Sequence, residues 1–472
     1  MIGRRRFINQ GCILASAFLG LRSFVEKANA SKALSASIGY GPLQPDPNRI
    51  LQLPLGFSHK VISQRGESMD DGLVVPGQHD GMGAFQGENG RIILVRNHEV
   101  SPDHPKYSPF GQDFELSRKI DHSKIYDVGA DNKIAGYGGT TTVVYNGETQ
   151  SVEKQFLSLA GTEWNCAGGK TPWGSWISCE ETNTTKGGNY AKDHGYNFDI
   201  PARADSGLIQ PVPLTAMGRF RHEAIAVAAK TGIIYQTEDR HDGLIYRFIP
   251  RVKNNPAAGG KLQALRIRQR RGMDTRNWMN SLPPKMPVAK WIQTRWVDID
   301  DVESPDDSLR QQGHTKGAAL FARGEGMWYG NDSIYWACTN GGPFMRGQIF
   351  RYTPSPFEGT PKELVRPGKL QLYIESHASS LIENCDNLTV APWGDLFICE
   401  DNSGSCAMLR VTPKGEISRF SLNNYSSSEL AGACFSPDGK ILFVNIQKNG
   451  QTLAITGPWR GNLKGTRATS KD

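Results

Sequence analysis

The segment TPWGSWISCEE at 171–181 lines up with APWGDLFICED at 391–401, sharing Pro-Trp-Gly, an apolar strand, a cysteine and two acids. The same shape, a turn followed by four or five strand-formers and a polar ending, returns in GRIILVRNHE (90–99), GIIYQTED (232–239), SIYWACTNGG (333–342) and PDGKILFVNIQ (437–447). A chain that repeats one strand unit six times is confined to architectures built from equivalent sheets. The endings, near positions 99, 181, 239, 340, 401 and 447, lie 82, 58, 101, 61 and 46 residues apart, about 70 on average. That spacing exceeds a minimal four-stranded blade, and the two widest gaps place insertions near 100–140 and 250–315. The predicted fold is therefore all-β, a six-bladed β-propeller with insertions between blades. A large β-sandwich would not repeat six similar endings. Composition agrees: 52 glycines and 27 prolines in 472 residues favour short strands joined by turns, and 38% hydrophobic against 21% charged residues can bury a large core.

The N-terminus reads as an address. Arg4, Arg5, Arg6, Phe7 and Ile8 lead into an apolar run from Cys12 to Leu21 and then to Ala28-Asn29-Ala30, the pattern of a twin-arginine export signal. Ten apolar residues fall well short of the roughly 20 that span a bilayer, so no permanent membrane anchor is expected. The predicted division is a signal peptide over 1–30, handled by the twin-arginine export machinery, and a single propeller domain over 31–472, with a periplasmic or secreted destination. The net charge of +7 falls to +3 once the signal's Arg4, Arg5, Arg6, Arg22, Lys27 and Glu26 are set aside, and nucleic acid is not implied. Arg266, Arg268, Arg270 and Arg271 alternate with Leu265 and Ile267 as on the wet face of an outer strand. Outside the signal the seven cysteines are odd in number and match no zinc spacing, which points to small buried hydrophobes.

A second regularity locates the chemistry. One hairpin upstream of the strand endings lie Asp80, Asn165 with Cys166, Glu223, Glu325, Asp386 with Asn387, and Glu429. A hairpin returns the chain to the same end of its sheet, so both groups of each blade can converge on one mouth of a central channel. Carboxylates crowded at that density repel one another unless cations neutralise them. Any single acid could instead cap a blade by accepting turn amides, but six pairs, with adjacent acids at Glu180-Glu181, Glu238-Asp239 and Glu400-Asp401, point to bound metal.

Through Asn97-His98-Glu99, GTEWNCAGGKTPWGSWISCEE (161–181), GRFRHEAIAV (218–227), Arg323-Gly-Glu325, CDNLTV (385–390) and ELAGACFSPDGKILFVNIQ (429–447), the chain resembles the PhoX-type alkaline phosphatases. The resemblance implies a six-bladed propeller holding iron and calcium at one channel mouth, where phosphate monoesters are hydrolysed. By matching motif it implies a thiolate ligand at Cys166, shared iron ligands at Glu223 and Glu325, and a phosphate-binding arginine at Arg323. Glu99, Glu180, Glu181, Glu238, Asp239 and Glu400 would be calcium or bridging ligands, joined by Asn97, Asn165 and Asp401. The residue types suit this: a thiolate favours a transition ion, whereas oxygen-only positions favour calcium. The chain departs from the family in Arg323-Gly-Glu325-Gly-Met-Trp328, where better-known members carry Arg-Pro-Glu-Trp, and in TEDRHDG (237–243), where they carry an acidic and aromatic run.

Among the histidines, His98 and His222 each precede a candidate ligand and would face the opposite side of a strand, while His79, beside Asp80, would line the mouth. Two other readings stay open on the residues: a calcium-dependent propeller hydrolase of a lactone or phosphotriester, against which Cys166 argues, and a non-catalytic binding propeller stabilised by metal.

Overall fold

The computed structural model describes residues 39–459 apart from 112, 131, 132, 284 and 379. The predicted signal over 1–30 lies outside the described residues. Within them the chain is all-β in a propeller-like arrangement, with a single α-helix, Leu309–Thr315, and no helix long and apolar enough to cross a membrane.

Consecutive strands pair antiparallel. The first sheet holds His79–Gln86, Arg91–His98, Gly138–Asn146 and Ser151–Thr162, and the second holds Asn165–Lys170, Ser175–Glu180 and Asn197–Pro201. A nine-stranded sheet follows, running from His222–Ala228 through Ile233–Glu238, Ile245–Val252, Asn255–Ile267 and Trp291–Asp298. From there it continues through Lys369–Glu375, Gln348–Thr353 and Ser333–Cys338 to Gly324–Gly330. The next sheet comprises Cys385–Val390, Leu396–Glu400, Cys406–Val411 and Ile417–Asn423. The last joins Leu430–Phe435, Ile441–Ile446 and Gln451–Thr456 to Ser58–Gln64 from the other end of the chain.

The first strands of these units form a ring. His79–Gln86 lies beside Asn165–Lys170, which touches His222–Ala228, then Gly324–Gly330, Cys385–Val390 and Leu430–Phe435, and the last returns to His79–Gln86. Their backbones approach so closely that side chains are excluded at some positions. A Cβ on Gly81 would sit 2.5 Å from the Ala167 Cα, and one on Gly326 2.7 Å from the Asn387 Cα. Closure of the ring rests on the pairing of Ser58–Gln64 with Gln451–Thr456 and on an aromatic clasp. Trp459 is wholly buried against Tyr40, Phe57 and Phe420, with ring centroids 5.9, 4.7 and 5.2 Å away. Each such contact adds about 0.5–1.5 kcal/mol beyond the area it buries.

The predicted insertion at 250–315 is woven into the sheets. Trp291–Asp298 pairs with Asn255–Ile267 on one side and with Lys369–Glu375 on the other, stitching two meanders into the nine-stranded sheet. Leu265 and Ile267 are buried while Arg266 is only partly so, the alternation expected of a strand with one wet face. All seven cysteines among the described residues are free and buried.

Candidate metal centre

One backbone irregularity, repeated, builds the site. Where each first strand pairs with its second strand the register slips, between His79 and Met82, Asn165 and Gly168, His222 and Ile225, Gly324 and Met327, Cys385 and Leu388, and Ala431 and Cys434. At each slip two residues oppose one, a bulge that re-aims a side chain. The first bulged residue is Asp80, Cys166, Glu223, Glu325 or Asp386 in five units; in the sixth it is Gly432, whose place a Cβ would contest with the Asp80 carbonyl at 2.2 Å.

These side chains meet acids from the strand endings in four overlapping groups, each with ligand atoms within 4.8 Å of one another: Asp80, Glu99 and Cys166; Cys166, Glu181 and Glu223; Glu223, Glu325 and Asp386; Asp386, Asp401 and Glu429. Cys166, Glu223 and Asp386 each belong to two groups, so nine residues form one continuous array. Most of it is buried, and Asp80 Oδ1 and both carboxylate oxygens of Glu223 have no hydrogen-bond partner among the described residues. Burial, reinforced by Asp386 and Glu181, pushes Glu223 well above the usual carboxylate range. Burial and neighbouring acids likewise raise Glu99, Glu181, Glu325 and Glu429. Asp80 is pushed up to about 8 by burial and Asp386, and Asp386 to about 6 by burial and Asp401. The Cys166 thiol is raised by burial and by Asp80 and Glu223. Orphaned oxygens on buried, mutually repelling acids fit bound cations, which would hold the same groups ionised.

Four predicted ligands do not join the array. Glu180 accepts the amides of Glu163, Gly195 and Tyr196 at 3.1, 2.9 and 3.2 Å and bonds to His194 at 2.7 Å. Glu238 accepts from the Leu244 amide and the Tyr246 hydroxyl at 3.0 and 2.8 Å, and Glu400 from the amides of Glu383 and Ala407 at 3.0 and 3.1 Å. All three end their strands and face away from the mouth, as neighbours of Glu181, Asp239 and Asp401 must in extended backbone. Their work is to fix the start of the following strand. Asp239 does face the mouth, but its carboxylate takes a bidentate pair from Arg323, Nε at 2.8 Å and Nη2 at 2.9 Å. Burial raises Asp239, and the Arg323 bonds outweigh that and hold it low.

Arg323 also reaches Glu325 Oε1 at 2.9 Å, so it bridges an acid of the array and one beside it while its side chain stays 37% exposed. Asn97 donates to the carbonyls of Cys166 and Ala167 at 3.1 and 2.6 Å and accepts from Trp176. Asn165 bonds Thr162 and Ser178. Both asparagines brace the bulge around Cys166 and are absent from the four donor groups. His98 bonds the Gly77 carbonyl and Thr141, and His222 bonds the Gly218 carbonyl and stacks on Phe220. His79 does not line the mouth: its ring is buried between the Pro76 carbonyl and Thr452.

Asp80, Asp386 and Glu429 carry the upstream half of the regularity seen in the sequence, and the structure gives them the same standing as the ligands read from motif. Arg221 was missed. It donates to Glu181 Oε1 at 2.6 Å, and its signal was available as Arg-x-Glu, present at Arg221-His222-Glu223 as at Arg323-Gly324-Glu325.

The solved structures with similar folds include Pseudomonas fluorescens PhoX in complex with vanadate, a transition state analogue, at 20% identity, covering 87% of this chain and 96% of that one with a TM-score of 0.62. A gluconolactonase from Xanthomonas campestris (12% identity, 89% and 98% coverage, TM-score 0.40) and a catalytically inactive virginiamycin B lyase from Staphylococcus aureus with quinupristin (12%, 85% and 99%, 0.39) are more distant. No curated protein matches the sequence. Residues 38–450 match the family described as alkaline phosphatase PhoX, and on that match, with the array of acids and one thiol at the mouth, the chain belongs to the PhoX family of metal-dependent alkaline phosphatases.

Proposed function

We propose that the chain hydrolyses phosphate monoesters at an iron and calcium cluster held by Asp80, Glu99, Cys166, Glu181, Glu223, Glu325, Asp386, Asp401 and Glu429 at the mouth of a six-bladed propeller. The nine-stranded sheet counts as two blades in this reading, which the closed ring of six first strands supports. The observation that carries the proposal is the continuity of the array: one thiol among eight carboxylates, with each group sharing a member with the next.

The donor set grades from soft to hard. Cys166, grouped with Glu181 and Glu223 and linked through Glu223 to Glu325, suits iron, and the oxygen-only group of Asp386, Asp401 and Glu429 suits calcium. When bound, such ions supply Lewis acidity and a lowered pKa for attacking water. The chain's own contribution is positioning and charge. Asp239 fixes the Arg323 guanidinium in a plane, and Arg323 presents a permanently charged fork to phosphoryl oxygens. In the overall reaction water oxygen bonds to phosphorus, the ester P–O bond breaks, and a proton passes to the departing alkoxide, giving an alcohol and inorganic phosphate. Charge on the phosphoryl oxygens in transit is what Arg323 stabilises. A calcium-only hydrolase has no use for a thiol placed in two of the four donor groups.

Residues 1–30 are read as a twin-arginine signal delivering residues 31–472, as one domain, to the periplasm or beyond. The decisive assay is a panel of phosphomonoesters, phosphodiesters and lactones with protein exported by its native route. Turnover of monoesters is expected; turnover of lactones alone, or of nothing, refutes the proposal.

A further inference from the structure

The ring of first strands has a position that recurs just ahead of its bulges. The residue just past each second strand donates its amide to the carbonyl at that position: Glu99 to Gln78, Glu181 to Trp164, Asp239 to Arg221, Thr339 to Arg323, Asp401 to Asn384 and Gln447 to Glu429, at 2.8 to 3.3 Å. The six residues so marked are equivalent points on the rim of the metal-binding mouth. Two of them are cations, and they fall on neighbouring strands, since His222–Ala228 packs beside Gly324–Gly330.

The two guanidiniums are held in the same way. Arg323 is anchored through Nε and Nη2 to Asp239 and Glu325. Arg221 is anchored through Nε to the Glu181 carbonyl at 3.2 Å and through Nη2 to Glu181 Oε1 at 2.6 Å. In both, Nη1 makes no hydrogen bond to a described residue. The side chains are 32% and 37% exposed, so each keeps one donor edge available to a ligand at the mouth. The segment between them is continuous: the Asp239 amide donates to the Arg221 carbonyl and the Arg323 amide to the Arg240 carbonyl at 2.9 Å. Two positive groups are thus set side by side, each pinned by an acid, over the donor groups that contain Glu181, Glu223 and Glu325.

We propose that Arg221 is a second phosphate-binding guanidinium, the counterpart of Arg323 one strand round the ring, and that the pair selects phosphomonoester dianions over phosphodiester monoanions. The inference rests on the phosphatase reading above and deepens it. A monoester offers three terminal oxygens and two negative charges, enough to engage both forks as well as cations below. A diester offers two oxygens and one charge, and its second ester group occupies the space one fork would use. A guanidinium aimed at those oxygens also meets the charge that spreads over them during transfer.

The test uses full-length, metal-loaded protein in wild-type, Arg221→Ala and Arg221→Lys forms, with three readouts. These are metal content by elemental analysis, affinity for inorganic phosphate by calorimetry, and kcat/KM for p-nitrophenyl phosphate and for bis(p-nitrophenyl) phosphate. Arg221→Ala is expected to keep its metals, to weaken phosphate binding, and to lose about 10²-fold in kcat/KM on the monoester. It should lose much less on the diester, so that the preference between the two falls. Arg221→Lys, which keeps the charge near Glu181 without the fork, should fall between. Unchanged phosphate affinity and unchanged preference in Arg221→Ala would overturn the clamp while leaving the phosphatase reading intact. Loss of metal in both variants would also overturn it, because Arg221 would then act only by holding Glu181. Phosphate binding is measured with no ester present, so its loss in Arg221→Ala supports the clamp independently of turnover.

Discussion

Two groups of buried acids in this molecule share an environment and differ in their partners. Beside the nine-stranded sheet, in the connection between Gln348–Thr353 and Lys369–Glu375, Glu358 accepts from Arg247, Tyr235, Tyr352 and the Ser355 amide at 2.6, 3.1, 2.8 and 2.6 Å. Glu363 takes two further bonds from Arg247 and one from the Gly359 amide, and the Arg247 side chain is 4% exposed. Every charge there is answered from within the protein. At the mouth, Glu223 is equally buried, its neighbours are other acids and a thiol, and both its oxygens are unanswered. Burial alone therefore does not mark a metal site; a buried carboxylate with neither oxygen answered by the protein does.

That contrast can be broken from either side. Glu223→Gln removes a donor shared by two groups, and phosphatase activity should drop by more than about 10²-fold with a matching loss of metal in elemental analysis. The metal-free form of the same variant should melt no lower than metal-free wild type, because one repelling carboxylate has gone. Glu358→Gln should do the reverse. It takes away one of Arg247's two carboxylates while Glu363 stays paired, lowers stability by about 1–3 kcal/mol in denaturant titration, and leaves metal content per folded molecule unchanged. Chelation should lower the melting temperature on the order of 10 °C in the wild type and by a similar amount in Glu358→Gln, so that the gap between the two stays unchanged.

The smallest effect sharpens the comparison at Glu180, an acid that resembles the ligands in sequence and the Glu358 network in structure. His194 sits between Glu180 at 2.7 Å and Asp127 at 3.3 Å. Burial lowers its pKa, but these carboxylates outweigh that and push it up to about 10. The folded value lies above the unfolded one of about 6.5, so the pair stabilises fully below that pH and its contribution fades as pH rises toward 10. The stability gap between wild type and His194→Gln should accordingly shrink between pH 6.5 and 10, measured by denaturant titration at each pH. A gap that widens would mean His194 is buried neutral.

Much of this was legible in the sequence, for identifiable reasons. Turns and apolar strands are written in the residue types, so the repeat and the convergence of Cys166, Glu223 and Glu325 could be read directly. Which acid of an adjacent pair faces the mouth could not. Alternation fixes that one of Glu180 and Glu181 points inward, but strand parity is reset by bulges that leave little trace in composition. The same parity turned His79 away from the mouth and its neighbour Asp80 into it. Trp291–Asp298 lay in a stretch that read as an insertion, because its three pairs to Lys369–Glu375 are made with residues far along the chain. The anchoring of Arg323 by Asp239 was likewise hidden, since it joins residues 84 positions apart.

The most direct test of the array is Cys166→Ser, with iron, calcium and phosphatase activity measured on one preparation. A hydroxyl is a poor substitute for a thiolate toward a transition ion but removes nothing from the oxygen-only group of Asp386, Asp401 and Glu429. Iron and activity should be lost together while most calcium remains. A variant that keeps both its iron and its activity would contradict the assignment of Cys166 and with it the proposed centre.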